Sequence, residues 1–170
     1  MGTKFAPYAT LVLAHLEEKL YVQLKKEFDF EFKQYIQGNF KRFLDDCFIL
    51  FTRSEDDLET FYRALNSLHP SIKYTMDKSD SNLSFLDTMV INKTGKIQTD
   101  IFYKPTDSKQ YLLYTSCHPK HTRNSISYNL ARRLKTIVSE ETVLLQRFDE
   151  LKTFLLQRKY PLKLIEDAIE

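Results

Sequence analysis

Two adjacent aspartates, Asp45 and Asp46, are the residues of this sequence with the clearest chemical potential. They lie between two runs of aromatic and branched residues, 40–44 and 47–51, which predict a tight β-hairpin with both carboxylates at its tip. Adjacent carboxylates repel each other and are costly to bury without a cation. Because the flanking residues are apolar, we expect the segment to be partly buried and the pair to ligate Mg²⁺. The alternative is an exposed turn, since turns favour aspartate.

A second candidate site is a basic segment that begins after Cys117. Residues 118–163 contain 10 basic and 4 acidic side chains, whereas residues 1–117 contain 15 basic and 16 acidic ones. Aromatic and hydroxyl side chains are interspersed with these cations, a pattern that favours contact with a phosphate backbone. The alternative is an ordinary solvated helix face. The cations expected at a nucleic-acid backbone are Lys120, Arg123, Arg132, Arg133 and Lys135.

Composition excludes several classes of protein. A chain of 170 residues with 42% hydrophobic content and a net charge of +2 can bury a core and is not disordered as a whole. Three glycines supply no glycine-rich phosphate loop, which excludes dinucleotide-binding and P-loop enzymes. No apolar run approaches the roughly 18 residues of a membrane helix, so we expect no membrane partner. Cys117, His118 and His121 lack the paired spacing of a structural zinc site.

The elements that must position these groups follow from periodicity. Pro7 precedes a stretch of helical periodicity over 9–24. Ser54 is a typical N-cap residue, and we expect the helix that begins after Ser54 to end before Pro70. Residues 72–76, 83–91 and 96–103 are strand-like, with a turn at 92–95. Helical spacing returns over 126–137 and 144–155, and Pro161 begins a last short helix. We therefore expect an α+β part followed by an all-α part; residues 27–38 stay unassigned.

Several short segments together resemble one protein family. Residues 43–46 look like the Tyr-x-Asp-Asp box of reverse transcriptases, and residues 1–9 resemble the palm motif just upstream of that box, motif B. Later segments follow in the same order, so the chain is similar to Penelope-like retroelement reverse transcriptases over nearly its whole length. These segments are 65–66, 69–70, 85–87, 99–100, 103–107, 116–119, 125–126, 132–134 and 159–161.

The resemblance implies a partial palm over residues 1–117, from motif B onward, and a helical thumb-like region over 118–170. The palm would consist of a helix, the catalytic hairpin, a helix, a strand and a primer-grip hairpin. Asp45 and Asp46 would be the catalytic Mg²⁺ ligands of a two-metal nucleotidyl transfer. Residues expected near the template or nucleotide are Gly2, Thr3, Pro7, Phe43 and Leu44, and the primer grip would be Phe85, Leu86 and Asp87.

The partners implied are an RNA template, a DNA primer, dNTP and Mg²⁺, and the expected compartment is the nucleus. The family takes a further metal-binding aspartate from motif A, upstream of the segment matched here. We therefore expect a fragment of an RNA-directed DNA polymerase that is inactive alone. One alternative is a non-catalytic RNA- or DNA-binding protein that uses the basic helices. Another is a chain that does not fold stably, because its hairpin would have an open apolar edge.

Overall fold

The computed structural model describes residues 5–170, so Gly2 and Thr3 lie outside the described residues. Within that range the fold is α+β, with six helices and two small antiparallel sheets. The chain divides into two compact units, the first ending at Lys78 and the second spanning Ser79–Glu170. The division expected between residues 117 and 118 lies inside the second unit. None of the helices described is long and apolar enough to cross a membrane.

The first unit contains three helices and one hairpin. Its elements are α1 Phe5–Glu27, α2 Phe30–Asn39, β1 Phe40–Phe43, β2 Asp46–Ile49 and α3 Glu55–Ser67. Leu16, Leu20 and Leu24 recur every four residues and are buried, which confirms the helix predicted over 9–24. The predicted hairpin is also confirmed, since β1 and β2 pair antiparallel with Phe43 opposite Asp46.

Side-chain caps begin two helices of this unit. Ser54 caps α3 as predicted, because its hydroxyl accepts a hydrogen bond from the Asp57 amide at 3.2 Å. Asp29 caps α2 in the same way and accepts from the Phe32 amide at 2.6 Å. Phe32 and Ile36, four residues apart, then bury one face of α2. This helix lies in the stretch that periodicity left unassigned.

The strand predicted over residues 72–76 is wrong. This segment has no regular secondary structure, and side chains satisfy the backbone of Tyr74 instead of a neighbouring strand. The Asn66 side chain accepts from the Tyr74 amide at 2.8 Å and donates to its carbonyl at 3.2 Å. The Tyr62 hydroxyl donates to the same carbonyl at 2.8 Å. An alternating sequence does not form a strand where helix side chains supply these bonds.

The second unit packs a three-stranded sheet with three helices. Its elements are β3 Asn82–Phe85, β4 Thr88–Lys93, β5 Lys96–Ile101, α4 Lys120–Ile137, α5 Glu141–Gln157 and α6 Leu162–Ile169. The single strand predicted over 83–91 is a hairpin instead, with Leu86 at a φ of 57° in the turn. The turn predicted at 92–95 is confirmed, and its two tip residues Thr94 and Gly95 have positive φ.

A single core joins the sheet and the helices of this unit. Ile101 at the end of β5 is buried together with Leu134 of α4, Leu155 of α5 and Ile165 of α6. The Thr99 hydroxyl donates to the Ile137 carbonyl at 2.5 Å, which links β5 to the end of α4. The strands and helices on either side of residue 117 therefore form one unit.

Candidate nucleic-acid interface

Helix α4 contains the main concentration of positive charge in the second unit. Five of its 18 residues are lysine or arginine, and it contains no aspartate or glutamate. Its buried side consists of Ser127, Ala131 and Leu134, followed by Val138 at the C-cap. Small side chains on this side allow α4 to pack closely against α5 and α6.

The opposite side of α4 is exposed and polar. Successive helix residues are about 100° apart, so residues spaced by three, four, seven and eight share one face. Six exposed side chains fall within an arc of about 100° on this basis. We call them the α4 outer face: His121, Ser125, Tyr128, Asn129, Arg132 and Thr136. The outer face therefore combines hydrogen-bonding groups with a cation.

Arg123 does not belong to this exposed surface, although sequence analysis placed it at a nucleic-acid backbone. Its guanidinium donates to the Tyr114 carbonyl and lies 5.1 Å from the centroid of the Tyr114 ring. Its Nε atom is buried and has no hydrogen-bond partner among the described residues. Arg123 therefore ties the start of α4 to the preceding segment.

Arg133 is exposed but already paired. Its Nε and Nη2 atoms lie 2.8 and 2.5 Å from one carboxylate oxygen of Asp87, at the turn between β3 and β4. Asp87 was predicted as a primer-grip residue; the structure places it as the counter-ion of Arg133. Phe85 and Leu86 precede it in the same hairpin, with Leu86 exposed at the turn.

The remaining predicted cations are available to a ligand. In the described part of the chain, the side chains of Lys120 and Arg132 have no hydrogen-bond or ion-pair partner, and both are exposed. Lys135 lies 5.8 Å from the Phe148 ring centroid and is also exposed. Pro119 at the N-cap of α4 makes no side-chain hydrogen bond to the first turn. The amides at this helix end therefore favour an anion.

The other two helices of the unit have little free positive charge. Arg147 of α5 donates to Asp100 at 3.0 and 2.6 Å and to Glu150 at 2.7 Å, and these hydrogen bonds raise its pKa despite partial burial. On α6 the exposed charges are Lys163, Glu166 and Asp167, so its outer side is net acidic. Of the three helices of this unit, α4 is consequently the one whose surface attracts a polyanion most strongly.

The three helices follow one another through short turns. Residues 138–140 join α4 to α5, and residues 158–161 join α5 to α6. Turns of three or four residues between helices have the length found in helix-turn-helix units. Residues 110–170 match the family model of the animal helix-turn-helix domain. Comparison with curated proteins found no match, and comparison with solved structures found none.

The helix-turn-helix match corrects the family predicted from sequence. The assignment to a Penelope-like reverse transcriptase is wrong, because the model that matches describes a helix-turn-helix domain and no reverse-transcriptase family matches. The error has a physical source. The segments behind that assignment are short and consist of residues such as aspartate, serine and proline, which turns and helix ends favour in any fold.

The aspartate pair lies at the tip of the first hairpin. Asp45 and Asp46 are both exposed, and the neighbouring Phe43 and Leu44 are 57% and 40% exposed. The flanking residues Cys47, Phe48 and Ile49 are half-buried, so the segment is partly buried as expected but its tip is not. Among the described residues no group of three His, Cys, Asp or Glu side chains could hold a metal ion. Ligation of Mg²⁺ by the pair stays a prediction, and no chemical step is derived from it.

The other predicted residues fall at separate places in the fold. Pro7 lies in the first turn of α1 and is exposed, while Phe43 and Leu44 belong to the first hairpin. Sequence analysis stressed cations and missed Ser125 and Asn129 as residues that could face a ligand. Their spacing of four residues, opposite the apolar positions of α4, was the signal that could have identified them.

Proposed function

We propose that this protein binds nucleic acid, specifically double-stranded DNA, through helix α4 of its second unit. The observation that supports this most strongly is the acid-free, cation-rich helix α4 inside the segment that matches a helix-turn-helix domain. Neutralised phosphates release counterions, so such a surface gives affinity that depends steeply on salt.

Duplex DNA fits the structure better than duplex RNA does. The major groove of B-form DNA is about 12 Å wide and admits an α-helix. The major groove of A-form RNA is deep and narrow, and side chains cannot enter it. A solvent-exposed helix with hydrogen-bonding groups along one face is therefore suited to DNA, while RNA would be held only through its phosphates.

The test is a titration of a fluorescently labelled duplex with the full chain, in which binding is measured by fluorescence anisotropy between 0.05 and 0.3 M salt. Log K falls as log salt rises, and each lost phosphate contact reduces the steepness of this fall by about 0.9. We expect the triple variant Lys120→Gln, Arg132→Gln, Lys135→Gln to lower it by about 2.7 and to weaken binding at 0.1 M salt by a few hundredfold.

A matched variant removes the same number of charges elsewhere. Lys25 and Lys26 at the end of α1 and Lys163 of α6 are exposed. Their replacement by glutamine should leave the slope nearly unchanged. The proposal is wrong if the full chain shows no salt-dependent binding to duplex DNA, or if this control loses as much affinity as the α4 variant.

A further inference from the structure

A cleft of about 290 Å³ lies beside α4 in the second unit. Its walls are the turn between β3 and β4, the segment that follows β5, and one side chain of α4. Leu86, Phe102 and Tyr103 give it an apolar lining, and Asp87 and Arg133 also line it. We propose that this cleft binds an unpaired base of the DNA that α4 holds. The inference rests on the proposed function, because it names the kind of DNA that the protein would prefer.

Contacts between its walls hold the cleft in shape. The Phe102 amide donates to the Asp87 carbonyl at 2.8 Å, which joins the segment after β5 to the β3–β4 turn. The Asp87 carboxylate binds Arg133, which joins the same turn to α4. A cleft formed in advance loses little conformational freedom when a ligand binds. Its volume is close to the lower limit of about 300 Å³ for small-ligand sites, which suits one base better than a longer stretch of nucleic acid.

The ion pair in the cleft leaves one donor and one acceptor unused. The Nε and Nη2 atoms of Arg133 both contact Oδ2 of Asp87, at 2.8 and 2.5 Å. Within the described residues, Nη1 of Arg133 and Oδ1 of Asp87 therefore make no hydrogen bond. The Watson–Crick edge of every base presents a donor beside an acceptor, and a protein reaches that edge only when the base is unpaired. The ion pair is thus complementary to an unpaired base and not to one inside a duplex.

The charge of the cleft favours a base over a phosphate group. Lys104 and Arg133 line it together with Asp87 and Asp107, so two cations face two carboxylates. A phosphate would be repelled by the carboxylates about as strongly as it is attracted by the cations, whereas a base is neutral. The aromatic lining offers a surface for stacking, which accepts any base because every base has a π-face.

Leu86 supplies apolar surface to the cleft at a conformational cost. Its φ of 57° lies in the left-handed region, which glycine adopts more easily than a bulky residue does. Its side chain is 38% exposed, so part of its apolar surface is still open to a ligand. Leucine at this position therefore adds contact area to the cleft and does not ease the turn.

The cleft adjoins the surface proposed to hold the duplex. Arg133 of the cleft directly follows Arg132 of the α4 outer face, and successive helix residues are about 100° apart. A base that leaves a duplex held on the outer face would therefore reach the cleft along one side of α4.

The experiment compares three labelled duplexes of one sequence with the full chain, by fluorescence anisotropy at about 0.1 M salt. One duplex is fully paired, one has a single unpaired nucleotide as a bulge, and one has an abasic residue at the same bulge. The abasic bulge keeps the extra phosphate and the flexibility and lacks only the base. We expect the bulge with a base to bind between about fivefold and 150-fold more tightly than the abasic bulge, the range for stacking of one base.

Two matched variants test whether the cleft causes this preference. Leu86→Gly removes apolar lining, and glycine fits the positive φ, so the turn is kept. It should reduce the preference for the base about three- to tenfold. Leu44→Gly is the control, because Leu44 has the same place in the Phe-Leu-Asp turn of the first hairpin, with a φ of 54° and 40% exposure. This control should keep the preference.

The outcomes separate the inference from the function on which it rests. Salt-dependent binding to the paired duplex with equal affinity for the two bulges overturns the inference and leaves the proposed function standing. A loss of preference that is as large in Leu44→Gly as in Leu86→Gly overturns it as well. A millimolar concentration of a free nucleoside monophosphate should not abolish the preference; if it does, the cleft binds free nucleotides and the inference is wrong. Absence of binding to all three duplexes overturns the proposed function itself.

Discussion

Two neighbouring arginines on α4 should contribute very differently to DNA binding. Arg132 has no side-chain partner among the described residues, whereas Arg133 lies 2.5 Å from the carboxylate of Asp87. We expect Arg132→Gln to weaken binding to a duplex of arbitrary sequence far more than Arg133→Gln does. Asp87→Asn should strengthen binding, because it frees a second cation beside the first.

The magnitudes follow from the exposure of the ion pair. At 0.1 M salt one phosphate contact contributes about 0.9 decades of affinity, or about 1.2 kcal/mol, so Arg132→Gln should cost about eightfold. Arg133 must first leave Asp87, and the two side chains are 43% and 44% exposed. Such a partly exposed pair is worth about 0.2–1 kcal/mol. The free energy needed to break this ion pair offsets much of the free energy that Arg133 would gain from a phosphate contact. Arg133→Gln should therefore weaken binding about twofold, and Asp87→Asn should strengthen binding about threefold.

The assay is anisotropy of a labelled duplex at 0.1 M salt with the three single variants and the parent chain. Lys163→Gln serves as the control for loss of a charge elsewhere in the unit. Equal losses for Arg132→Gln and Arg133→Gln would refute the reasoning, because the pairing seen in the structure would then have no effect on the charge available to DNA. Weaker binding by Asp87→Asn would refute it too.

Three further predictions concern stability and reactivity. Burial raises the pKa of Asp100, but hydrogen bonds from Arg147 and the Ile101 amide outweigh burial, so the pKa of Asp100 is lowered. The ionised Asp100 therefore stabilises the fold above about pH 4, and this stabilisation is lost as the pH falls through the lowered pKa. Arg147→Met should therefore cost about 2 kcal/mol in urea unfolding at pH 7 and much less at pH 3, whereas an equal loss at both pH values would contradict it. Asp29→Ala removes the cap of α2 and should cost about 1 kcal/mol in the same measurement; an unchanged midpoint would show that the cap has no effect. Burial raises the pKa of Cys47 to about 11, so at pH 8 iodoacetamide should label the exposed Cys117 first. Peptide mass spectrometry would show the order of labelling, and the reverse order would be inconsistent with burial of Cys47.

Much of the secondary structure could be predicted because it depends on neighbours in sequence. The leucines of α1, the Ser54 cap and the first hairpin all follow from spacing over four residues or fewer. The strand expected over 72–76 failed because Asn66 supplies the bonds that a partner strand would have made. Local alternation indicates an extended segment but does not say what will pair with it.

The candidate nucleic-acid interface could also be predicted only in part from the sequence. Its charge is a property of the sequence, since α4 contains five cations and no acid wherever it lies in the fold. Which cations are free was decided by contacts with distant residues: Asp87 pairs with Arg133, and Tyr114 holds Arg123. Sequence spacing alone ranked these arginines equally.

The sequence by itself determined five of the six described helices, the first hairpin and the concentration of positive charge on α4, because each depends on residues within a few positions of one another. Tertiary structure decided that the tip with Asp45 and Asp46 is exposed and that Asn129 and Arg132 face solvent together. It also placed Asp87 against Arg133, 46 residues away in the chain. Burial and ion pairing depend on which surfaces meet after folding, and that information is spread over the whole chain.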